Sequence, residues 1–199
     1  PIALLYPSPY RAGMSSVGFQ WILKILRDAG YQVERAFLPD DVPGWRASRI
    51  PLHTYETSRP VAHFPVIGIS LAYELELEGL ISALELAGIP PLREDRGPSH
   101  PRIIMGGPLT FSNPLPAAPF VDAMLMGEAE DVVLPAMEAA MHTEGDAWLD
   151  TIASLPGGYV PQIHGEKLPP VAKASDDRLP AYAPILAPDA ELSDMFLIE

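Results

Sequence analysis

The residues able to do chemistry in this sequence sit in four short stretches rich in glycine, serine and proline. Gly106-Gly107-Pro108 directly follows the apolar run Arg102 to Met105. Paired glycines there let backbone lie flush against a flat or bulky group, or simply make a tight turn. Gly127-Glu128-Ala129-Glu130 joins a glycine to two acids at the expected start of a helix. The acids suit the helix dipole, and Glu128 could equally accept from a ligand hydroxyl or amide. Ser8 to Ser16 and Ser70 to Glu74 complete the set. His53, His63, His100, His142 and His164 contain no pair at the three- or four-residue spacing of a helical metal site. Glu74, Glu76 and Glu78 spread around a helix rather than converge, which makes them a solvated face with only Glu74 near the loop edge. The sequence contains no nucleophile elbow, P-loop or dinucleotide fingerprint. These stretches point to binding rather than to catalysis.

Alternating strands and helices position them. Ile2 to Tyr6 reads as a buried strand that breaks into a Pro/Ser/Gly loop and enters a helix over about Ser16 to Ala29. Its expected stripe is Val17, Trp21, Ile22, Ile25, Leu26 and Ala29. Tyr31 to Phe37, Val66 to Leu71, Arg102 to Met105 and Val121 to Met126 supply four more strands. Helices are expected over Tyr73 to Ala87, after Gly127 with Val132, Val133, Ala136, Met137 and Ala140 inward, and over Trp148 to Leu155. Residues 39–64 read as an insertion containing a small hairpin, since prolines 39, 43, 51 and 60 interrupt any helical pattern. Tyr159 to His164 reads as a second hairpin. The pattern predicts an α/β fold: a flavodoxin-like (Rossmann-like) open parallel five-stranded sheet in order 2-1-3-4-5. The four loops then share the carboxyl edge of the sheet, where such folds bind ligands. Residues 1–155 form this domain, and 156–199 an irregular Pro-rich strap leading to whatever follows.

Composition narrows the partners. A net charge of −13 with only 13 scattered Lys and Arg argues against nucleic acid. No apolar run approaches the roughly 20 residues of a membrane span, and no leader peptide is evident, so a cytoplasmic location is expected. With 0 cysteines the chain supplies neither disulfides nor thiolate metal ligands.

Taken together, the loops resemble those of cobalamin-binding domains on this fold. Such domains carry Asp-x-His-x-x-Gly after strand one, Ser-x-Leu after strand three and Gly-Gly after strand four. The matching register here is Ser8-Pro9-Tyr10-Arg11-Ala12-Gly13, Ser70-Leu71-Ala72 and Gly106-Gly107. Ser8 stands at the aspartate position, Tyr10 at the cobalt-ligating histidine position, and Leu71 is displaced by one. The sequence resembles in particular the N-terminal cobalamin-binding-like domain of radical S-adenosylmethionine (radical SAM) proteins. The phrases that carry this are Tyr6-Pro7-Ser8-Pro9-Tyr10, Gly13-Met14-Ser15, Tyr73-Glu74-Leu75 and Gly106-Gly107-Pro108. Asn113-Pro114-Leu115-Pro116, Gly127-Glu128-Ala129-Glu130 and Gly158-Tyr159-Val160-Pro161 extend it along most of the chain.

The resemblance implies a corrinoid at the strand C-termini. Gly106 and Gly107 would admit its nucleotide tail, Ser70 would bond that tail, and Tyr10 would lie near the ring without ligating cobalt. An unligated cobalt would suit methyl transfer. Gly13, Met14, Leu71 and Tyr73 belong to the implied lining, as do Pro108, Thr110, Gly127 and Glu128. The 4Fe-4S cluster and SAM would belong to a radical SAM barrel beyond this stretch, which is the implied partner. The competing expectation is a degenerate domain that binds no corrinoid and serves as scaffold, gate or interaction surface for that barrel. A free-standing FMN module fits less well, because Pro9, Tyr10 and Arg11 make a poor phosphate loop.

Overall fold

The computed structural model describes residues 1–178 and 180–198. Glu199, the last residue of the expected strap, and Leu179 lie outside them. Six strands form one sheet: β1 (Ile2–Tyr6), β2 (Val33–Phe37), β3 (Val66–Ser70), β4 (Arg102–Gly106), β5 (Ala123–Leu125) and β6 (Gly158–Tyr159). Their order is β2-β1-β3-β4-β5-β6. The first five are parallel, as the alternating pattern predicts. The sixth is an addition: Gly158 and Tyr159 pair antiparallel with β5, where the sequence suggested a separate hairpin. Pro161–His164 continues as a helical turn instead of a return strand.

Period-two alternation feeds two cores from the same strands. Ile2, Leu4 and Tyr6 face one layer with Ile104, Ala123 and Leu125. Ala3 and Leu5 face the other with Ile67, Ile69, Ile103, Met105 and Met124. The first layer is covered by α2 (Val17–Asp28), α6 (Val133–His142) and α7 (Ala147–Ser154), the second by α4 (Glu76–Leu86) and the insertion. The expected inner face of α6 is buried throughout.

Three local expectations change. In α2 the innermost residues are Phe19, Gln20, Leu23, Ile25 and Leu26, while Val17, Trp21 and Ile22 are half-buried and Ala29 is exposed. The reason lies far along the chain. Residues 181–187 of the strap cover the outer flank of α2, where Tyr182 packs on Trp21 with ring centroids 5.0 Å apart. In the insertion, Val42–Ser48 is a helix (α3), because Pro43 falls in its first turn and Asp41 accepts from Gly44 N–H at 2.9 Å. The expected hairpin there reduces to one antiparallel bridge, His53 to Pro60. Finally, Gly127 to Glu130 does not open a helix, since α6 starts only at Val133. Among the described residues no helix is long and apolar enough to cross a membrane.

The insertion is fastened to edge strand β2 by Glu56. Its carboxylate accepts from Arg35 N–H at 2.6 Å, from Arg35 Nε at 2.7 Å and from Arg27 at 2.7 Å. Burial alone would raise the Glu56 pKa, but the Arg35 N–H and the two guanidiniums outweigh it and hold the group below its ordinary value. A depressed carboxylate stabilises the fold fully above the unfolded value of 4.5, and that contribution fades as pH falls through the lower folded value. Glu56→Gln is therefore expected to cost about 1 kcal/mol in urea unfolding near neutral pH. The difference from wild type should shrink in acid. An equal cost at all pH values would show that the charge plays no part.

Candidate functional site

The carboxyl ends of β1, β3, β4 and β5 gather the four loops at one edge, as the topology requires. What fills the crevice between β1 and β3 is a side chain the spacing argument assigned to solvent. Glu76, at the start of α4, is 4 % exposed. Its Oε1 accepts from Ser8 Oγ at 3.0 Å and its Oε2 from Ala72 N–H at 2.6 Å. The Tyr6 phenol is buried nearby; burial first, then the Glu76 charge, push its pKa well above the ordinary value. Tyr6 therefore remains a proton donor. Two donors, from the loops after β1 and β3, thus converge on one carboxylate, which is how a buried polar group is made tolerable. Two turns of one helix face hold it there: Glu76 lies in line with Leu80, Ala83 and Leu84, all buried. Glu74 and Glu78 are exposed. An acid lying on an apolar stripe was the available signal.

Helix α4 seals the crevice further. A β-carbon at Gly79 would fall against the carbonyl oxygen of Pro7, so this glycine lets the helix touch the β1 loop directly. Gly107 has φ 102°, and a β-carbon there would sit 2.6 Å from the Leu71 oxygen and 2.8 Å from its nitrogen. Its cradle is filled by the protein's own backbone, with Leu109 N–H donating to the Leu71 oxygen at 3.1 Å. Gly106 is more open, with only the Leu125 oxygen within reach at 3.8 Å.

The other expected residues divide between packing and surface. Tyr10, on the turn α1 (Tyr10–Gly13), stacks on Tyr55 at 5.0 Å and meets Phe37 edge-on at 5.1 Å. That places its ring beside the end of β2 and the insertion. Gly13 packs on the Phe37 ring. Met14 and Leu71 are fully buried. Thr110, in α5 (Leu109–Ser112), donates to the Gly107 oxygen at 2.8 Å and accepts from Gly127 N–H at 3.3 Å, tying two loops together. Gly127 and Glu128 are engaged by the strap: Ala172 N–H donates to the Met126 oxygen, Glu128 N–H donates to the Ala172 oxygen, and Glu128 Oε2 accepts from Ala174 N–H at 2.6 Å. Ser70 is half-buried and Pro108 exposed. Tyr73, Leu75 and Phe111 stand out at the edge, being 50, 82 and 55 % exposed.

A corrinoid whose tail entered beside Gly106 and Gly107 would need free space at the strand ends. Two hollows among the described residues lie away from the strand ends. One, about 350 Å³, is at the opposite edge beside Phe64, His100 and Arg102, and the other lies between α2 and the strap. With Glu76 and α4 closing the crevice and Leu71 filling the Gly107 cradle, the residues do not fit an inserted nucleotide tail.

Comparison with known proteins places the chain. Residues 18–161 match the family described as "Radical SAM proteins, N-terminal". Two solved structures of the radical S-adenosylmethionine methyltransferase TsrM from Kitasatospora setae are similar. The one with tryptophan substrate and the SAM analogue aza-SAM is 14 % identical over 87 % of this chain, with a TM-score of 0.49. The one with cobalamin and a [4Fe-4S] cluster is 13 % identical over 89 %, also at 0.49. In each case the chain spans 30 % of the length of the other protein. No curated protein matches it. The family match extends over well more than half of the chain, which therefore belongs to the N-terminal domain family of radical SAM proteins.

Proposed function

We propose that this domain is the N-terminal scaffold of a radical SAM protein, presenting the carboxyl edge of its sheet as the docking face for the catalytic radical SAM portion of the same polypeptide. The observation that carries this is the apolar shelf above a closed crevice. Tyr73, Leu75 and Phe111 expose large apolar side chains on two loops that backbone hydrogen bonds hold rigidly together. Large apolar side chains exposed on neighbouring loops of one edge suit an interaction site, and the family's N-terminal position supplies a partner in the same chain. The 4Fe-4S cluster and SAM belong in that partner, since these 199 residues contain 0 cysteines.

The test is hydrogen exchange on the full-length protein and on this 199-residue stretch alone. Amides of residues 73–75 and 109–115 should exchange more slowly in the full-length protein, and Leu75→Asp with Phe111→Asp should remove that protection. Equal exchange in both proteins sinks the docking reading.

A second reading keeps the corrinoid, laid flat on the same shelf between the two portions. It is favoured by the open backbone at Gly106 and by the apolar Tyr73 and Phe111 flanking it. In this reading no side chain of the domain ligates cobalt, because Tyr10 is committed to Phe37 and Tyr55.

A further inference from the structure

We propose that Glu76 is a specificity-determining stopper. Its carboxylate takes, from within the chain, the hydrogen-bond donors that an incoming phosphate would need at the β1–β3 crevice, and so excludes ligands bearing a nucleotide tail. Ser8 Oγ and Ala72 N–H both donate to the one carboxylate, from opposite sides of the crevice. Converging neutral donors at the carboxyl ends of parallel strands are an anion-binding arrangement. Here the anion is the protein's own. A phosphodiester approaching the same donors meets them already engaged and meets a like charge in a water-poor setting, where repulsion is least screened.

The packing around Glu76 explains why the plug stays in. It lies on the buried stripe of α4, and the helix is pressed to the Pro7 carbonyl at Gly79. Swinging the carboxylate out would leave the half-buried Ala72 N–H and Ser8 Oγ without their protein partner, which is costly. The edge that carries the proposed docking shelf is therefore selective in one direction. It accepts apolar or flat partners across its top and rejects anionic groups from its depth. This inference rests on the geometry of the crevice and does not need the docking reading to hold.

The pair of probes that isolates the point is cobalamin and cobinamide, which share the corrin ring but differ in the phosphate-bearing nucleotide tail. Equilibrium dialysis of the full-length protein against hydroxocobalamin and diaquocobinamide should show wild type holding cobalamin no more tightly than cobinamide, including the case in which it holds neither. Glu76→Ala frees two donors and removes the like charge, so its affinity for cobalamin should rise about tenfold or more, with cobinamide unchanged. Glu76→Gln preserves the side-chain volume while removing the charge, and should move in the same direction by less, so the answer survives if the alanine variant folds poorly. A wild type that prefers cobalamin tenfold or more, or a folded Glu76→Ala with no gain toward cobalamin, overturns the proposal. The docking reading fails by a different measurement, the exchange of residues 73–75 and 109–115.

Discussion

Replacing Gly79 by alanine is expected to destabilise the domain by about 2 kcal/mol, and by leucine about 3 kcal/mol or more, against the direction that helix propensity sets. In an exposed helix interior, glycine to alanine gains about 1 kcal/mol. At Gly79 the added β-carbon meets backbone, the Pro7 carbonyl oxygen, instead of a side chain that can turn aside. The β1 loop cannot retreat freely, since Leu38 N–H donates to the Ser8 oxygen at 3.1 Å and Ser8 Oγ donates to Glu76. Either α4 lifts from the sheet or the loop breaks those bonds. Gly18 in α2 is the control, because nothing lies within 4 Å of its β-carbon position. There the same change should be neutral or mildly stabilising. Urea unfolding of both variants decides the matter, and a Gly79→Ala protein as stable as wild type would mean that α4 does not seal the crevice.

Phe19→Ala should cost about 4 kcal/mol. The ring is 1 % exposed and lies between Tyr6, at 5.5 Å and nearly perpendicular, and Phe37, at 5.4 Å. Phe37 in turn touches Tyr10 and Tyr55. The cavity would therefore open under the β1 loop and loosen the contact between the insertion and α1. Phe19→Leu retains most of the volume and should cost about 1 kcal/mol. Unfolding free energies from urea titration, with near-ultraviolet circular dichroism to follow the aromatic cluster, separate the two. A loss below about 1 kcal/mol for the alanine variant would be incompatible with a close-packed cluster.

How much of this was legible beforehand depends on the range of the interactions. Val66 to Ser70 and Arg102 to Met105 declare themselves as central strands because both of their faces are buried, and runs of Val, Ile and Met record that directly. Gly158-Tyr159 carries no such signature, being two residues whose strand character comes entirely from pairing with Met124 and Leu125. The buried flank of α2 was misjudged because Phe19 and Leu23 compete with Trp21 and Ile22 for the inner face, and only the strap decides between them. Glu76 shows the limit most clearly. The expectation grouped it with Glu74 and Glu78 on a solvated face, although its place in line with Leu80, Ala83 and Leu84 marks it as the acid that turns inward. What fixes it there includes Ser8, 68 residues away in sequence, which no local pattern reveals.

The strap's grip on α2 has a consequence in time. Gln20 is 1 % exposed because its side-chain nitrogen donates to the Met14 oxygen and its oxygen accepts from Ile185 N–H, 165 residues later. At ribosomal speeds, that separation corresponds to roughly ten to thirty seconds of synthesis. Throughout that interval the amide of Gln20 and the indole of Trp21 face the cell without the segment that covers them. Arrival of residues 181–187 closes this surface, so it stays open to other contacts until they are made.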